Sequence, residues 1–325
     1  MDMEKALDKR WIIASVSIVF VLIFFLVFYW SAEPDTFDVR EQTNQPPVTG
    51  VTLTRTLHTV GSTLLDKPGG YLSNDVIPPS VFMDDMPAWE FGVLEMVRDL
   101  ALAMRKDFSR SQSQSIENPA LVIAQPALNV NHRGWILPSA ESQYRKGLDA
   151  IDDYLLDLQD PRQGEAQFYA RADNLREWLK QVEKRLGSLS QRLSASVGQE
   201  RINTDLAGDP NARQSTPSAQ NLMIKTSWWQ LDNNFYEARG ASWALLHFLK
   251  AVEVDFADVL EKKNARVSLQ QIIRELEATQ QTVWSPMILN GSGFGALANH
   301  SLVMANYISR ANAAIIDLSE LLSQG

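Results

Sequence analysis

Residues 168–193 read FYARADNLREWLKQVEKRLGSLSQRL, and Phe168, Ala172, Leu175, Leu179, Val182, Leu186, Leu189 and Leu193 recur in it at alternating steps of four and three. Polar and charged side chains fill most of the positions between them. That spacing puts one apolar stripe along a long helix, which must be buried against other helices. The same pattern runs through 94–108, 144–158, 228–259, 265–283 and 304–322. No segment alternates apolar and polar residues over a strand's length. Steps of three and four also favour neighbours packed about 20° apart. The expected fold is therefore all-α, a long-helix bundle of about six main helices.

Two stretches lack a polar face. Residues 240–249, GASWALLHFL, are uncharged, and from 296 to 316 the one charged side chain is Arg310. A helix apolar all round is normally enclosed by others, so both are expected in the inner layer.

Residues 11–30, WIIASVSIVFVLIFFLVFYW, carry no charge, and at about 1.5 Å per residue they span about 30 Å, the hydrocarbon thickness of a bilayer. Trp11, Tyr29 and Trp30 sit where amphipathic rings settle at headgroup level. Lys5, Lys9 and Arg10 precede the span, whereas Glu33, Asp35 and Asp38 follow it before the first base, Arg40. This bias places residues 1–10 in the cytoplasm and everything after residue 30 outside. A cleaved signal peptide is the competing reading. Its apolar core is shorter and ends in small residues, where this chain has Tyr29-Trp30. The expectation is a single-pass inner-membrane anchor with a periplasmic body. Residues 31–50 read as a polar tether, 51–197 as a first helical half, 198–221 as a polar loop, and 222–325 as a second half packing with the first into one body.

The 325 residues carry a formal charge of −9 and no cysteine. The acids and bases of the first 30 residues balance, so the body holds the whole negative charge. That argues against a nucleic-acid partner, and an acidic body should not lie flat on anionic lipid. Disulfides, thiol nucleophiles and cysteine-ligated metals are excluded. No cofactor or metal motif is present.

The candidate ligand-binding residues fall in two loops and one cluster. In LLDKPGGY (64–71), Asp66 and Lys67 supply charge while Gly69 and Gly70 open the backbone. The plainer reading is a helix stop and a tight turn. NGSGFG (290–295), with Gly291 and Gly293, lacks the strand and lysine of a phosphate loop and reads as a sharp turn into the last helix. His247, His300 and Arg310, with Asn299 and Asn306, lie on the two helices assigned to the interior, where they form a polar core network or line a pocket. Asp84-Asp85 and Asp152-Asp153 are adjacent acids that point apart on a helix, and one of the first pair suits a cap for the helix opening at Pro87. Arg105, Lys106 and Arg110 form a small basic cluster at a helix end. No catalytic constellation is recognisable.

Four strings, LLDKPGGYLSND (64–75), WEFGVLEMVRDLALAMRKDFSRSQSQS (89–115), NNFYEARGASWALLHFLKA (233–251) and SPMILNGSGFGALANHSLVMANYISRANAAIIDL (285–318), resemble a Gram-negative bacterial family catalogued as domain of unknown function 2333. The resemblance runs from about residue 50 to the C-terminus. It implies an inner-membrane protein with a periplasmic body and implies no activity or functional residue. The expected function is a non-enzymatic envelope scaffold or protein-interaction module, engaging an envelope protein or a second copy of itself. Exposed aromatics such as Trp178 or Trp228 would mark its docking face. The alternatives are a periplasmic ligand-binding or sensory module, with a pocket near the 64–71 and 290–295 loops, and a peptidoglycan hydrolase.

Overall fold

Helix α7 (Leu231–Asp255) is the central element, and every residue from 238 to 249 is buried. The computed structural model describes residues 2–40, 48–112, 114–160, 166–202, 221–285, 287–292 and 294–324. Around α7 pack α2 (Val51–Asp66), α3 (Asp85–Ala103) and α9 (Arg266–Thr279). On one flank α5 (Ala140–Gln159) covers α2 and carries α4 (Pro119–Leu128). On the other, α6 (Ala172–Ser194) and α10 (His300–Ser323) pack together, with α10 also against α9. The short α8 (Ala257–Lys262) follows α7 after a break at Phe256. The first helix, α1 (Asp2–Trp30), contains one stretch, Trp11–Trp30, long and apolar enough to cross a membrane.

The fold is all-α, with one small addition. Residues β1 (Gln199–Ile202) and β2 (Asn221–Ile224) pair antiparallel at the edges of the polar 198–221 segment; residues 203–220 lie outside the described residues. Nine helices follow α1 among the described residues, where the sequence pattern predicts about six. The apolar period runs unbroken across the α7–α8 break, and α4 carries an internal Pro126 that hides its helical character.

The bundle has two distinct ends. At one, the rings of Phe108, Phe168 and Phe256 cluster, Phe256 meeting the other two edge to face, and the Asp255 carboxylate accepts the Leu53 N–H at 2.7 Å, capping α2 from outside. Burial pushes Asp255 up to about 6, against these hydrogen bonds. At the other end, the connections 67–84 and 129–139 come together with the described parts of 195–230 and 280–299, residues 195–202, 221–230, 280–285, 287–292 and 294–299. Tyr71 donates to the His132 carbonyl and Asn74 to the Gly134 carbonyl. Thr226 N–H reaches the Ala195 carbonyl, and Arg239 reaches the Thr279 and Gln281 carbonyls.

Two expectations from the sequence are overturned. Helix α10 buries a single face (Met304, Ile308, Ala311, Ile315, Leu318, Leu322), while Val303 and Ile316 are exposed. Up to residue 316 its exposed positions are Val303, Asn306, Ser309, Arg310, Ala313 and Ile316, a face that is nearly uncharged without being enclosed. Trp178 is buried, belonging to the Leu175–Leu179–Val182 stripe of α6 rather than to a docking face. Trp228 is exposed.

Candidate functional site at the anchor end

The segment after α1 is a strap rather than a free spacer over residues 31–40. It runs extended along α7, taking one helix face at four-residue steps. Glu33 pairs with Arg239 at 2.5 Å, the Asp35 carbonyl accepts from the Trp243 indole at 3.3 Å, and the Phe37 ring stacks on His247 with centroids 3.9 Å apart. Val39 is buried, and Arg40 reaches Glu253 at 3.1 Å. Residues 41–47 lie outside the described residues. At the end of α1, Val27 and Trp30 pack against the body, Trp30 directly over Gly69. Arg239 ties these parts together: it holds Glu33 while its guanidinium donates to the last carbonyls of α9, where a cation is favoured.

His247 belongs to this strap contact. Its Nδ1–H donates to the Trp243 carbonyl at 2.7 Å, which leaves Nε2 to accept the Phe37 N–H at 3.1 Å. Burial, aided by Lys250 and opposed by the Trp243 hydrogen bond, pushes its pKa down to about 4. A protonated Nε2 can no longer accept, so acid should loosen the strap. The unfolded imidazole, near 6.5, takes its proton first; the His247 contribution is complete above that pH and is lost as pH falls towards 4, by about 3 kcal/mol in all. Urea unfolding of the detergent-solubilised chain between pH 7 and 4 should show this loss. His247→Phe, which cannot titrate, should show a flatter profile, and equal slopes would remove His247 as the cause.

The LLDKPGGY loop is held from within. Lys67 is buried, its ammonium 2.6 Å from Glu90 of α3 and 2.5 Å from the Gly70 carbonyl. Glu90 also accepts the Leu72 and Ser73 N–H groups and the Ser73 hydroxyl. Gly69 and Gly70 have φ of 84° and 71°, the conformation glycine allows in a turn. Asp66 pairs with Arg145 on the surface. All of these contacts build the turn, and the Lys67 charge is spent inside the protein.

The other predicted site residues do not converge. His300 Nδ1 accepts the Leu289 N–H, and its ring lies near Phe235. Arg310 pairs with Glu275, one layer away from the strap. Gly291 sits where a side chain would overlap the Leu297 carbonyl, within a loop closed by Asn299, which caps α10; Gly293 lies outside the described residues. The loops 64–71 and 290–295 therefore form no shared pocket with His247 and Arg310 through the contacts described. Arg105 and Arg110 are both met by Glu117.

Two features of this end were not foreseen. The carboxylates of Asp84, Asp85 and Asp232 lie within 4.8 Å of one another, so Asp84 and Asp85 turn towards a common point instead of apart. Burial, with Asp232, Asp84 and Glu33 adding to it, pushes Asp85 up to about 7. These three are the described residues that could share a divalent cation. Alongside them a groove of about 730 Å³ runs between the 72–84 loop, His132 and Arg133, and the start of α7 at Asn233 and Glu237. Asp232 carries no signal in sequence because it lies far along the chain from Asp84.

No curated protein and no solved structure matches this chain. A family model does match, over residues 4–325, and the chain belongs to that family, described as an uncharacterized protein conserved in bacteria (DUF2333).

Proposed function

We propose that this is a non-enzymatic cell-envelope protein, anchored by α1 in the inner membrane with its N-terminus in the cytoplasm. Its periplasmic bundle acts as a scaffold or interaction module. The observation that supports this best is the strap. A spacer that merely tethered a domain would leave the body free to turn, whereas residues 31–40 fix α7 relative to the anchor. A fixed orientation serves a protein that presents one face to a partner at a set height. The packing of Val27 and Trp30 against the body also favours retention of α1 over its removal as a signal peptide.

The test is made on the full chain in its native membrane. Protease added to spheroplasts should digest the body and leave the N-terminus protected, and alkaline washing should leave the chain in the membrane. Photocrosslinking from exposed flank positions such as Asp153 of α5 and Lys184 of α6 should then capture one reproducible partner or a second copy. Release of a soluble body would end the anchor reading, and crosslinking to nothing reproducible would end the scaffold reading.

A further inference from the structure

The large apolar side chains left in water are not spread evenly over the body. In the loop between α2 and α3, Val76, Ile77, Val81 and Phe82 are all exposed. The loop between α4 and α5 adds Trp135, Ile136 and Leu137, the last 95% exposed. Trp228 and Trp229 stand at the entry to α7, and Trp284, Met287, Phe294 and Leu297 in the connection to α10. At the opposite end, among the described residues, the comparably exposed ones are fewer and scattered: Val48 and Ile116 in loops, Leu156 near the end of α5 and Val267 at the start of α9.

All four apolar loops sit at the end where the chain leaves α1. Trp30 lies on Gly69, at the root of the first loop. That loop is tied to the second through Tyr71–His132 and Asn74–Gly134. Glu33, three residues beyond Trp30, meets Arg239, which holds the segment 279–281 at the root of the fourth. The strap then runs from Arg239 towards Glu253, so the start of α7, with Trp228 and Trp229 before it, faces the anchor.

We infer that these loops form a collar seated in the headgroup interface of the same bilayer that α1 crosses. This rests on reading α1 as a membrane anchor. Lipid is the occupant favoured by continuity: the collar begins at Trp30, itself at headgroup level, and its tryptophans suit that depth. An apolar end exposed to water would be an aggregation hazard, and burying it in the interface removes its apolar area from water. The body's negative charge, with the Asp84, Asp85 and Asp232 carboxylates at this same end, opposes contact with anionic lipid, so the seat is end-on, made by the apolar loop tips and suited to zwitterionic headgroups.

The chain has no cysteine, so single labels are clean. The full chain is reconstituted in phosphatidylcholine vesicles with an environment-sensitive fluorophore at Phe82→Cys, Leu137→Cys or Phe294→Cys. Ile116→Cys and Val267→Cys report the far end, and Phe20→Cys the middle of α1. Including acyl-brominated phosphatidylcholine should quench the three collar labels at least about twofold more than the far-end labels, and should quench Phe20→Cys as well. Quenching at Phe20→Cys without quenching at the collar overturns the collar and leaves the anchor standing. No quenching at Phe20→Cys overturns the anchor reading, and the collar with it. A blue shift at the collar without lipid quenching assigns the end to a protein partner or second copy, and overturns the proposal. Equal quenching at the far end means the body lies on its flank, which also overturns it.

Discussion

Gly240→Ala is expected to lower the unfolding free energy by about 2–4 kcal/mol, although alanine is the better helix former. Helices α3 and α7 cross at Gly92 and Gly240. A methyl group on Gly240 would overlap the Trp89 carbonyl oxygen, and one on Gly92 the Glu237 carbonyl and the Ala241 nitrogen. Both obstacles are backbone, so no rotamer change relieves them and the helices must move apart. Separation opens space beside Trp89 and Trp243, whose rings lie 5.3 Å apart in the core, and interiors tolerate such gaps poorly. Gly187→Ala supplies the contrast. Its methyl would meet only the Asn312 amide, at 3.7 Å, so it should gain stability by about 0.5–1 kcal/mol from helix propensity alone. Urea midpoints of the two variants in detergent decide the matter: if Gly240→Ala is as stable as Gly187→Ala, the close crossing does not exist.

Much of this architecture is legible in the amino-acid pattern, because burial of a stripe leaves a period. The stripe of α6 and the uncharged middle of α7 are both readable that way. The strap is not. Its residues, SAEPDTFDVR, are mostly polar and include a proline, which is also the composition of a linker, and what holds it is hydrogen bonding of its backbone plus Glu33 and Phe37. The available signal lies on the partner: Arg239 and His247 stand two turns apart in the fully buried stretch 238–249, where Ser242 is the one other polar side chain, and a buried arginine and histidine need partners from somewhere. Helix α10 misled for the opposite reason, since absence of charge is shared by buried faces and by faces of small polar residues. The same ambiguity affected Lys67. As a sequence feature it offers charge to a ligand; in the fold its charge is consumed by Glu90 on an element the turn has to meet.

Glu90→Ala should be the most damaging change at that junction, costing about 3–5 kcal/mol, because it strands a buried ammonium and leaves the loop donors without an acceptor. Both residues of the pair are almost wholly buried. Their roles are unequal. Glu90 accepts from the Lys67 ammonium, two backbone N–H groups and a hydroxyl, whereas Lys67 serves Glu90 and one carbonyl. Lys67→Met should therefore cost less, about 1–3 kcal/mol, since the carboxylate keeps its other donors and can take up a proton. Burial already pushes Glu90 above the ordinary carboxylate range, with Lys67 the largest opposing influence; removing Lys67 pushes it further. A carboxyl whose folded pKa is raised stabilises the fold at low pH and loses that contribution as pH rises towards the folded value. Lys67→Met should thus regain stability on acidification, while Glu90→Ala should not. Pairing Lys67→Met with Glu90→Leu should fall short of full rescue, because the Leu72 and Ser73 N–H groups remain buried donors without a partner. Full rescue by that double variant would mean that the ion pair alone holds the loop. Incomplete rescue locates the stabilisation in the carboxylate's grip on residues 72 and 73, which follow the Gly69 turn that Trp30 covers, and so connects the stability of the body to the seating of α1.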